Sequence, residues 1–318
     1  MLGMLSPAGA KARLTVLIFH RVLSKPDPLL PDEPDAARFE AQMRWLKAWF
    51  NVLPLPEAAR RLRDGSLPAR AAAITFDDGY ADNFTVALPI LRRTGLTATF
   101  FIAAGYLDGG RMWNDTVIDL IRRAEGQDLD LAHLNLGRYR IETPDARRRS
   151  MNELLGKIKY LDPDQRNDVV ARLADEGRMG SSSDLMLTTE QLRAMAAAGM
   201  TIGAHTVTHP ILSRVSEEVA RAEMTESKER LEAITGGKVA LFAYPNGKPT
   251  IDYTAIHVRL ARETGFEAAV SGSWGAAMGR GCDIFQLPRF TPWDRTASRY
   301  ALRLARNMRH SITVVNQI

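Results

Sequence analysis

The sequence predicts an α/β protein whose parallel sheet curls into a closed or nearly closed barrel. Short apolar and β-branched segments alternate with helical segments along most of the 318 residues. This alternation is typical of parallel strands joined by right-handed crossovers. About six or seven such units favour a barrel, in which polar residues at the carboxyl ends of strands form the site.

The strands are predicted from apolar runs that are bounded by turn residues. They lie at residues 14–19, 73–76, 97–102, 200–204, 239–243, 266–270 and 285–287. The helices are predicted from apolar positions at helical spacing, with a capping residue before them or a glycine after them, as Asp35 and Gly95 illustrate. They lie at residues 35–50, 56–63, 82–94 (with Pro89 at a kink), 188–198, 216–234, 252–264 and 294–309.

Residues 111–187 interrupt this alternation. The segments 114–124, 145–160 and 163–176 have helical periodicity, and we expect no strand among them. The sequence therefore predicts a single domain at residues 14–310 with a helical insertion that lies over one end of the barrel.

Composition excludes several classes of protein. A single cysteine, Cys282, rules out an internal disulfide framework and an all-cysteine zinc site. The formal charge of +5 comes from scattered arginines, which predict solvated helix faces and no nucleic-acid interface. No apolar run is long enough for a membrane span or a signal-peptide core, so we expect a cytoplasmic protein. The composition does not define an oligomeric state.

Two carboxylates, Asp77 and Asp78, follow the strand at residues 73–76, and Gly79 then permits a sharp turn. Taken alone, this run is also typical of a solvated turn. Burying adjacent carboxylates is costly unless a cation or a shared proton offsets their repulsion. The pair therefore indicates a site if a cation-binding group lies nearby.

Two histidines, His205 and His209, follow the strand at residues 200–204. Pro210 disfavours a helix at His209, so we expect a loop that directs both imidazoles at one cation. Two imidazoles and one carboxylate leave coordination positions open, as in catalytic metal sites. The second carboxylate would act as general base toward a water activated by the cation, which predicts hydrolysis of an amide or ester. The cation and a backbone N–H would stabilise the oxyanion.

These segments resemble the polysaccharide deacetylases with a NodB-type domain, carbohydrate esterase family 4. The run Thr75-Phe76-Asp77-Asp78-Gly79 matches the first motif of that family, and His205-Thr206-Val207-Thr208-His209 matches the second. The resemblance extends over residues 14–290, with 111–187 as extra material. It implies a distorted (β/α)7-type barrel, a divalent metal and removal of N-acetyl groups from amino sugars. By motif, Asp77 would be the catalytic base, and Asp78, His205 and His209 the metal ligands.

The third motif of the family is only partly present, as Ala243-Tyr244-Pro245-Asn246-Gly247. The resemblance implies that the Asn246 N–H donates to the oxyanion and that Tyr244 and Pro245 contact substrate. The arginine with which the family orients its base is absent from this motif. Arg289, near the last predicted strand, is a candidate substitute, and an ordinary surface arginine is the alternative.

The late histidine that protonates the leaving amine in this family is also absent. His20, at the end of the first strand, is a candidate for that acid or for a sugar contact, and a structural histidine is the alternative. A subset of the family associated with exopolysaccharide synthesis is similar in having a histidine there. Trp113 and Trp293 are candidates for stacking against a sugar, with packing as the alternative.

Three functions follow from these observations. The first is a metal-dependent N-deacetylase that acts on an N-acetylated glycan of the exopolysaccharide or capsule type. The expected metal is Zn²⁺, with Co²⁺, Ni²⁺ or Mn²⁺ as alternatives. The second is a hydrolase of another carbon–nitrogen bond, in a small cyclic amide. The third is a non-catalytic glycan-binding module that retains the metal site.

Overall fold

A computed structural model describes residues 2–180, 184–279 and 281–316. Within these ranges the strands are β1 (Arg13–Phe19), β2 (Asn51–Val52), β3 (Ala71–Phe76), β4 (Thr99–Ile102), β5 (Asp128–Leu131), β6 (Gly137–Arg140), β7 (Thr201–Ala204), β8 (Leu241–Ala243), β9 (Ala268–Val270), β10 (Ala277–Met278) and β11 (Arg289–Phe290). The α-helices there are α1 (Leu2–Leu5), α2 (Ala36–Trp49), α3 (Leu55–Asp64), α4 (Leu88–Thr94), α5 (Trp113–Arg123), α6 (Pro144–Lys159), α7 (Pro163–Glu176), α8 (Thr189–Ala197), α9 (Glu217–Thr235), α10 (Ala255–Glu263) and α11 (Ala297–Asn307).

The main sheet is predominantly parallel and strongly curled. Its strand order is β10-β1-β3-β4-β7-β8-β9, with β2 paired to β3 and β11 paired to β1. Leu287, two residues before β11, forms a parallel bridge with Val270 at the end of β9. The segment from Leu287 to Phe290 therefore lies between the first and last parallel strands and nearly closes the curl. The distorted barrel predicted from the sequence is confirmed.

Both faces of the sheet are buried, which explains why its strands read as nearly continuous apolar runs. In β3 every residue is buried. Ile74 and Phe76 pack into the large core beneath the helices, where the Phe76 ring stacks on Phe100 with centroids 4.7 Å apart. Ala71 and Ala73, on the opposite face, belong to a second core. This two-sided packing holds the end of β3 rigidly.

The insertion differs from the sequence prediction in one respect. Helices α5, α6 and α7 are present, but an antiparallel hairpin of β5 and β6 lies between α5 and α6. The prediction that this region has no strand is therefore wrong. The hairpin alternates polar residues with Leu131 and Tyr139, which are buried in a separate apolar cluster of the insertion. Residues 181–183 of the predicted insertion lie outside the described residues.

Two other elements are displaced. The strand expected at residues 285–287 is instead β11, because Arg289 and Phe290 pair with Val16 and Leu17 of β1. The helix expected at 82–94 begins with a π-helical turn at Asn83–Ala87, after which Pro89 lies in the first turn of α4. No helix in the described ranges is long and apolar enough to cross a membrane.

Candidate functional site

The Asp77–Asp78 pair projects from the carboxyl end of β3. The Asp77 N–H continues the β1–β3 pairing by donating to the Phe19 carbonyl at 2.9 Å. Asp78 then takes a left-handed φ of 75° and Gly79 one of 90°. A Cβ at Gly79 would lie 3.3 Å from the Ile102 side chain, so this turn favours glycine both for its conformation and for its contact. The turn leaves both carboxylates at the base of a cleft.

Asp78, His205 and His209 form a cluster of three possible metal ligands. The Nε2 atoms of both histidines lie 3.5 Å from Asp78 Oδ1, and the three ligand atoms are all within 4.8 Å of one another. His205 Nδ1 lies 2.8 Å from the carbonyl oxygen of Ala243. Because a carbonyl oxygen only accepts, Nδ1 carries the proton and the Nε2 lone pair faces the cluster. Two imidazole nitrogens and a carboxylate oxygen fit a divalent ion such as zinc.

Burial and mutual charge set the protonation of these groups. Burial lowers the pKa of His209 to about 3, so its imidazole is neutral, the form that binds a cation. Burial acts to raise the pKa of Asp78, but the two histidines outweigh it and hold that pKa below its usual value. Burial also acts to lower the pKa of His205, and the charges of Asp77 and Asp78 raise it above the ordinary value. A proton and a cation therefore compete for His205.

Asp77 has a different partner from Asp78. Arg289 Nη1 donates to Asp77 Oδ1 at 2.6 Å, and Nη2 donates to Oδ2 at 2.7 Å. The arginine is 2% exposed, and its Nε donates to the Ser271 carbonyl at 2.9 Å. Burial acts to raise the pKa of Asp77, but Arg289 and then His205 outweigh it, so Asp77 is ionised. The structure thus excludes the surface-arginine alternative for Arg289.

A cleft of about 440 Å³ contains these groups. The residues that line it are Ile18, His20, Asp77, Asp78, Met112, Trp113, Asn114, Leu155, Gly156, Lys159, His205, His209, Asn246, Gly272, Arg289 and Thr291. Four of the candidates from the sequence, His20, Trp113, Asn246 and Arg289, therefore share one cleft with the carboxylates and the two histidines.

Asn246 lines this cleft from the loop after β8. Its φ is 59°, and within the described part of the chain its N–H donates to no protein acceptor. The neighbouring Gly247 carbonyl accepts from Gly272 N–H at 2.7 Å, and a Cβ on Gly272 would lie 2.8 Å from the Asn246 carbonyl oxygen. Glycine at position 272 therefore permits the loops after β8 and β9 to meet beside an available N–H donor.

Three predicted substrate contacts lie outside the cleft. Tyr244 is fully buried, donates to the Phe285 carbonyl at 3.1 Å and stacks on Tyr253 at 4.0 Å. Pro245 is also buried and does not line the cleft. The expectation that these two side chains contact substrate is therefore wrong, because the loop after β8 directs them into the core. Trp293 is exposed but packs beside Trp274, with ring centroids 5.9 Å apart.

Some residues at the site were not found by sequence reasoning. Leu155, Gly156 and Lys159 reach the cleft from α6 of the insertion, and no local pattern separates them from other helix residues. Glu223 of α9 accepts hydrogen bonds from the backbone N–H groups of Val207 and Thr208, at 2.7 and 2.9 Å. The only sequence signal for this contact is a carboxylate in the helix that follows the histidine motif.

Comparisons with known proteins agree with this geometry. A family model described as polysaccharide deacetylase matches residues 64–269. YxkH of Bacillus subtilis (strain 168), which is provisionally named a polysaccharide deacetylase, is 23% identical over 268 residues, covering 84% of this chain and 67% of that protein. A poly-beta-1,6-N-acetyl-D-glucosamine N-deacetylase of Staphylococcus aureus (strain MSSA476) is 31% identical over 94 residues, which are 29% of this chain and 31% of that protein.

The fold is also found in a solved structure. The Streptococcus pyogenes deacetylase PplD in complex with acetate has a TM-score of 0.60 and 19% identity, covering 92% of this chain and 98% of that one. At this identity the likeness shows a shared fold. Because the family model spans well over half of the sequence and includes both the carboxylate pair and the two histidines, the chain belongs to the polysaccharide deacetylase family.

Proposed function

We propose that the protein is a metal-dependent hydrolase that removes N-acetyl groups from an amino-sugar polysaccharide or oligosaccharide. One observation carries the proposal. Asp77 is an ionised carboxylate outside the three-residue cluster, and Arg289 holds it in place. It lies directly beside the cluster of Asp78, His205 and His209. This arrangement separates a general base from a metal site within one cleft.

The cluster would hold the metal, for which Zn²⁺ is the expected ion. A divalent cation there would supply a Lewis acid that lowers the pKa of water and polarises the acetyl carbonyl. Asp77 would accept the proton of the attacking water, since its Oδ2 lies 3.9 Å from His205 Nε2 and so borders the same space. Arg289 would keep the carboxylate of Asp77 in the orientation that this proton transfer needs.

Two other groups would complete the hydrolysis. The Asn246 N–H would donate to the oxygen of the acetyl group as it gains negative charge. His20 would give a proton to the nitrogen as the carbon–nitrogen bond breaks. The water oxygen then remains on the acetyl carbon, so the products are acetate and a free amine.

Family membership and the cleft support a glycan substrate. The Staphylococcus aureus relative is named as a deacetylase of a poly-N-acetylglucosamine, which suggests a substrate of the exopolysaccharide type. Trp113 lines the cleft and offers an aromatic face to the apolar C–H face of a pyranose. The insertion contributes this residue, so we propose that it shapes the substrate site.

Acetate release from N-acetylated oligosaccharides by the zinc-loaded protein tests the function. We expect Asp77→Asn to lower the rate by about 1,000-fold while zinc remains bound, which is the scale of a lost general base. Asp78→Asn, the matched change at the adjacent position, should lose the zinc itself, as measured by metal analysis after dialysis.

The two alternatives give different outcomes. A glycan-binding module would bind zinc and oligosaccharide but release no acetate. A hydrolase of cyclic amides would open such rings while leaving N-acetylated glycans intact. Either result would refute the proposed deacetylase.

A further inference from the structure

A pair of exposed tryptophans lies close in the chain to two residues that line the cleft. Gly272 and Thr291 line the cleft on the loops after β9 and β11, and Trp274 and Trp293 follow each of them by two residues. The loop after β9 is joined to β11 itself, where the Arg289 N–H donates to the Ser273 carbonyl at 2.8 Å. The two indoles, which we name the tryptophan platform, therefore follow directly from two segments of the cleft wall.

The platform is held in place by Arg303 of α11. The Cζ of Arg303 lies 5.3 Å from the ring centroid of Trp274 and 5.0 Å from that of Trp293. Its Nη1 donates to Asp294 at 2.7 Å and its Nη2 to the Thr291 carbonyl at 3.0 Å. The guanidinium thus ties both indoles to a residue of the cleft wall, and this support reduces the entropy that the rings would lose on binding a ligand.

Despite this support, the indoles remain open to solvent. Trp274 is 37% exposed and Trp293 is 47% exposed, and their planes meet at 46°. Exposed aromatic surface beside a polar cleft is typical of a ligand-binding surface. An indole offers a flat apolar face for the C–H face of a pyranose and an N–H donor for a hydroxyl group.

We propose that the tryptophan platform binds a second sugar of the glycan whose N-acetyl group lies in the cleft. The proposal rests on the proposed function for the identity of the cleft's substrate. The short chain connection to the cleft through Gly272 and Thr291 favours this occupant over a membrane surface or a second copy of the chain. The substrate is then an oligomer or polymer, because a single sugar occupies the cleft and leaves the platform free.

Binding of β-1,6-linked N-acetylglucosamine oligomers of one to six units tests the proposal. Calorimetry on zinc-loaded Asp77→Asn protein, which is expected to leave the oligomers intact, gives the affinity for each length. We expect affinity to rise with length and the double change Trp274→Ala with Trp293→Ala to remove about tenfold of that rise. A tenfold change in affinity is the scale expected for the loss of a few aromatic contacts. Leu302→Ala, at a 52% exposed position of the same helix as Arg303, is the matched control and should keep the full rise.

Several outcomes would overturn the platform. They are an affinity that does not rise with length in the parent protein, a rise that survives the double change, or an equal loss for the monosaccharide and the hexamer. An effect of the double change confined to sedimentation mass or to binding of phosphatidylglycerol vesicles would likewise overturn it and identify the other occupant. Thermal unfolding of each variant shows whether the fold is retained.

The tryptophan platform and the proposed deacetylase can fail independently of each other. If the wild type releases no acetate but length-dependent binding is lost in the double variant, the platform stands and the deacetylase fails. If acetate is released but the platform changes do not alter the effect of substrate length on binding, the platform fails alone.

Discussion

Arg289 and Asp77 form a bidentate, buried ion pair although they lie 212 positions apart in the chain, with Nη–Oδ distances of 2.6 and 2.7 Å. Asp78, the next residue, has the imidazoles of His205 and His209 as its neighbours instead. Two adjacent carboxylates therefore have different neighbours, and in the proposed mechanism Asp77 is the general base and Asp78 is a metal ligand. A bidentate arginine favours this separation because it donates to both carboxylate oxygens of Asp77 and fixes the plane of the carboxylate.

Replacing Arg289 with lysine tests whether this pairing controls the base. Lysine cannot hold both oxygens, so we expect kcat/KM for deacetylation to fall about 100-fold, the scale of a misoriented catalytic group. Lysine keeps the positive charge but loses one of the two hydrogen bonds that lower the pKa of Asp77, so we expect that pKa to rise and the acidic limb of the rate profile to move to higher pH. A pH profile of kcat/KM measures both effects. An unchanged acidic limb would show that the paired hydrogen bonds from Arg289 do not control the ionisation of Asp77.

The proximity of the carboxylate pair and the two histidines could be predicted from the sequence, because the carboxyl ends of parallel strands meet at one end of a barrel. The same rule suggested that Arg289 and His20 lie at the same site as these four residues. The rule failed for Tyr244, because the direction of a side chain at a strand end depends on the local backbone. The Tyr244 ring packs in the core, where it stacks on Tyr253. The hairpin in the insertion was missed because half of its residues are polar and its strands are only four residues long.

Glu223 contacts the loop that joins His205 and His209, two of the possible metal ligands. Glu223 accepts from two backbone N–H groups of the loop and from Thr208 Oγ1, the last at 2.6 Å. The loop also contains left-handed φ values of 65° at Thr206 and 55° at His209. Side chains that orient a metal ligand commonly contribute 10- to 100-fold in affinity.

We therefore expect Glu223→Ala to weaken zinc binding by about tenfold, since His209 is then less well held opposite Asp78. Competition with a zinc chelator measures this affinity independently of enzyme activity. The matched control is Glu226→Ala, on the same helix, where the glutamate pairs with exposed Arg230. Equal zinc affinities for the two variants would contradict a positioning role for Glu223.

The proposed role of His20 as a general acid can be tested with two substrates whose leaving groups differ in their need for a proton. Its side chain lines the cleft with Asp77 and Asn246. If His20 protonates the departing amine, His20→Gln should lower hydrolysis of N-acetyl sugars by about 100-fold or more. Hydrolysis of 4-nitrophenyl acetate should fall far less, because 4-nitrophenolate leaves without a proton. Equal losses on both substrates would assign His20 to binding or structure instead of acid catalysis.

We expect Asp115 to make stability depend on pH. It is buried against Tyr80, whose hydroxyl donates to Asp115 Oδ1 at 3.2 Å, and burial raises its pKa to about 7. Unfolding returns the group to its ordinary pKa, near 4. Between about pH 4 and 7 the folded state therefore keeps a proton that the unfolded state releases, so this carboxyl makes the protein less stable as pH rises.

Asparagine at position 115 keeps an acceptor for the Tyr80 hydroxyl and carries no charge at any of these pH values. We therefore expect Asp115→Asn to gain stability relative to the wild type as pH rises from 4 to 8, by about 1–4 kcal/mol in the free energy of unfolding. Urea denaturation in the presence of a chelator measures this without the pH dependence of metal binding. Asp119→Asn, which changes a partly exposed carboxylate on the same helix paired with Arg111, is the control. If the stability difference between Asp115→Asn and wild type stays constant across this range, Asp115 does not hold its proton in the folded protein.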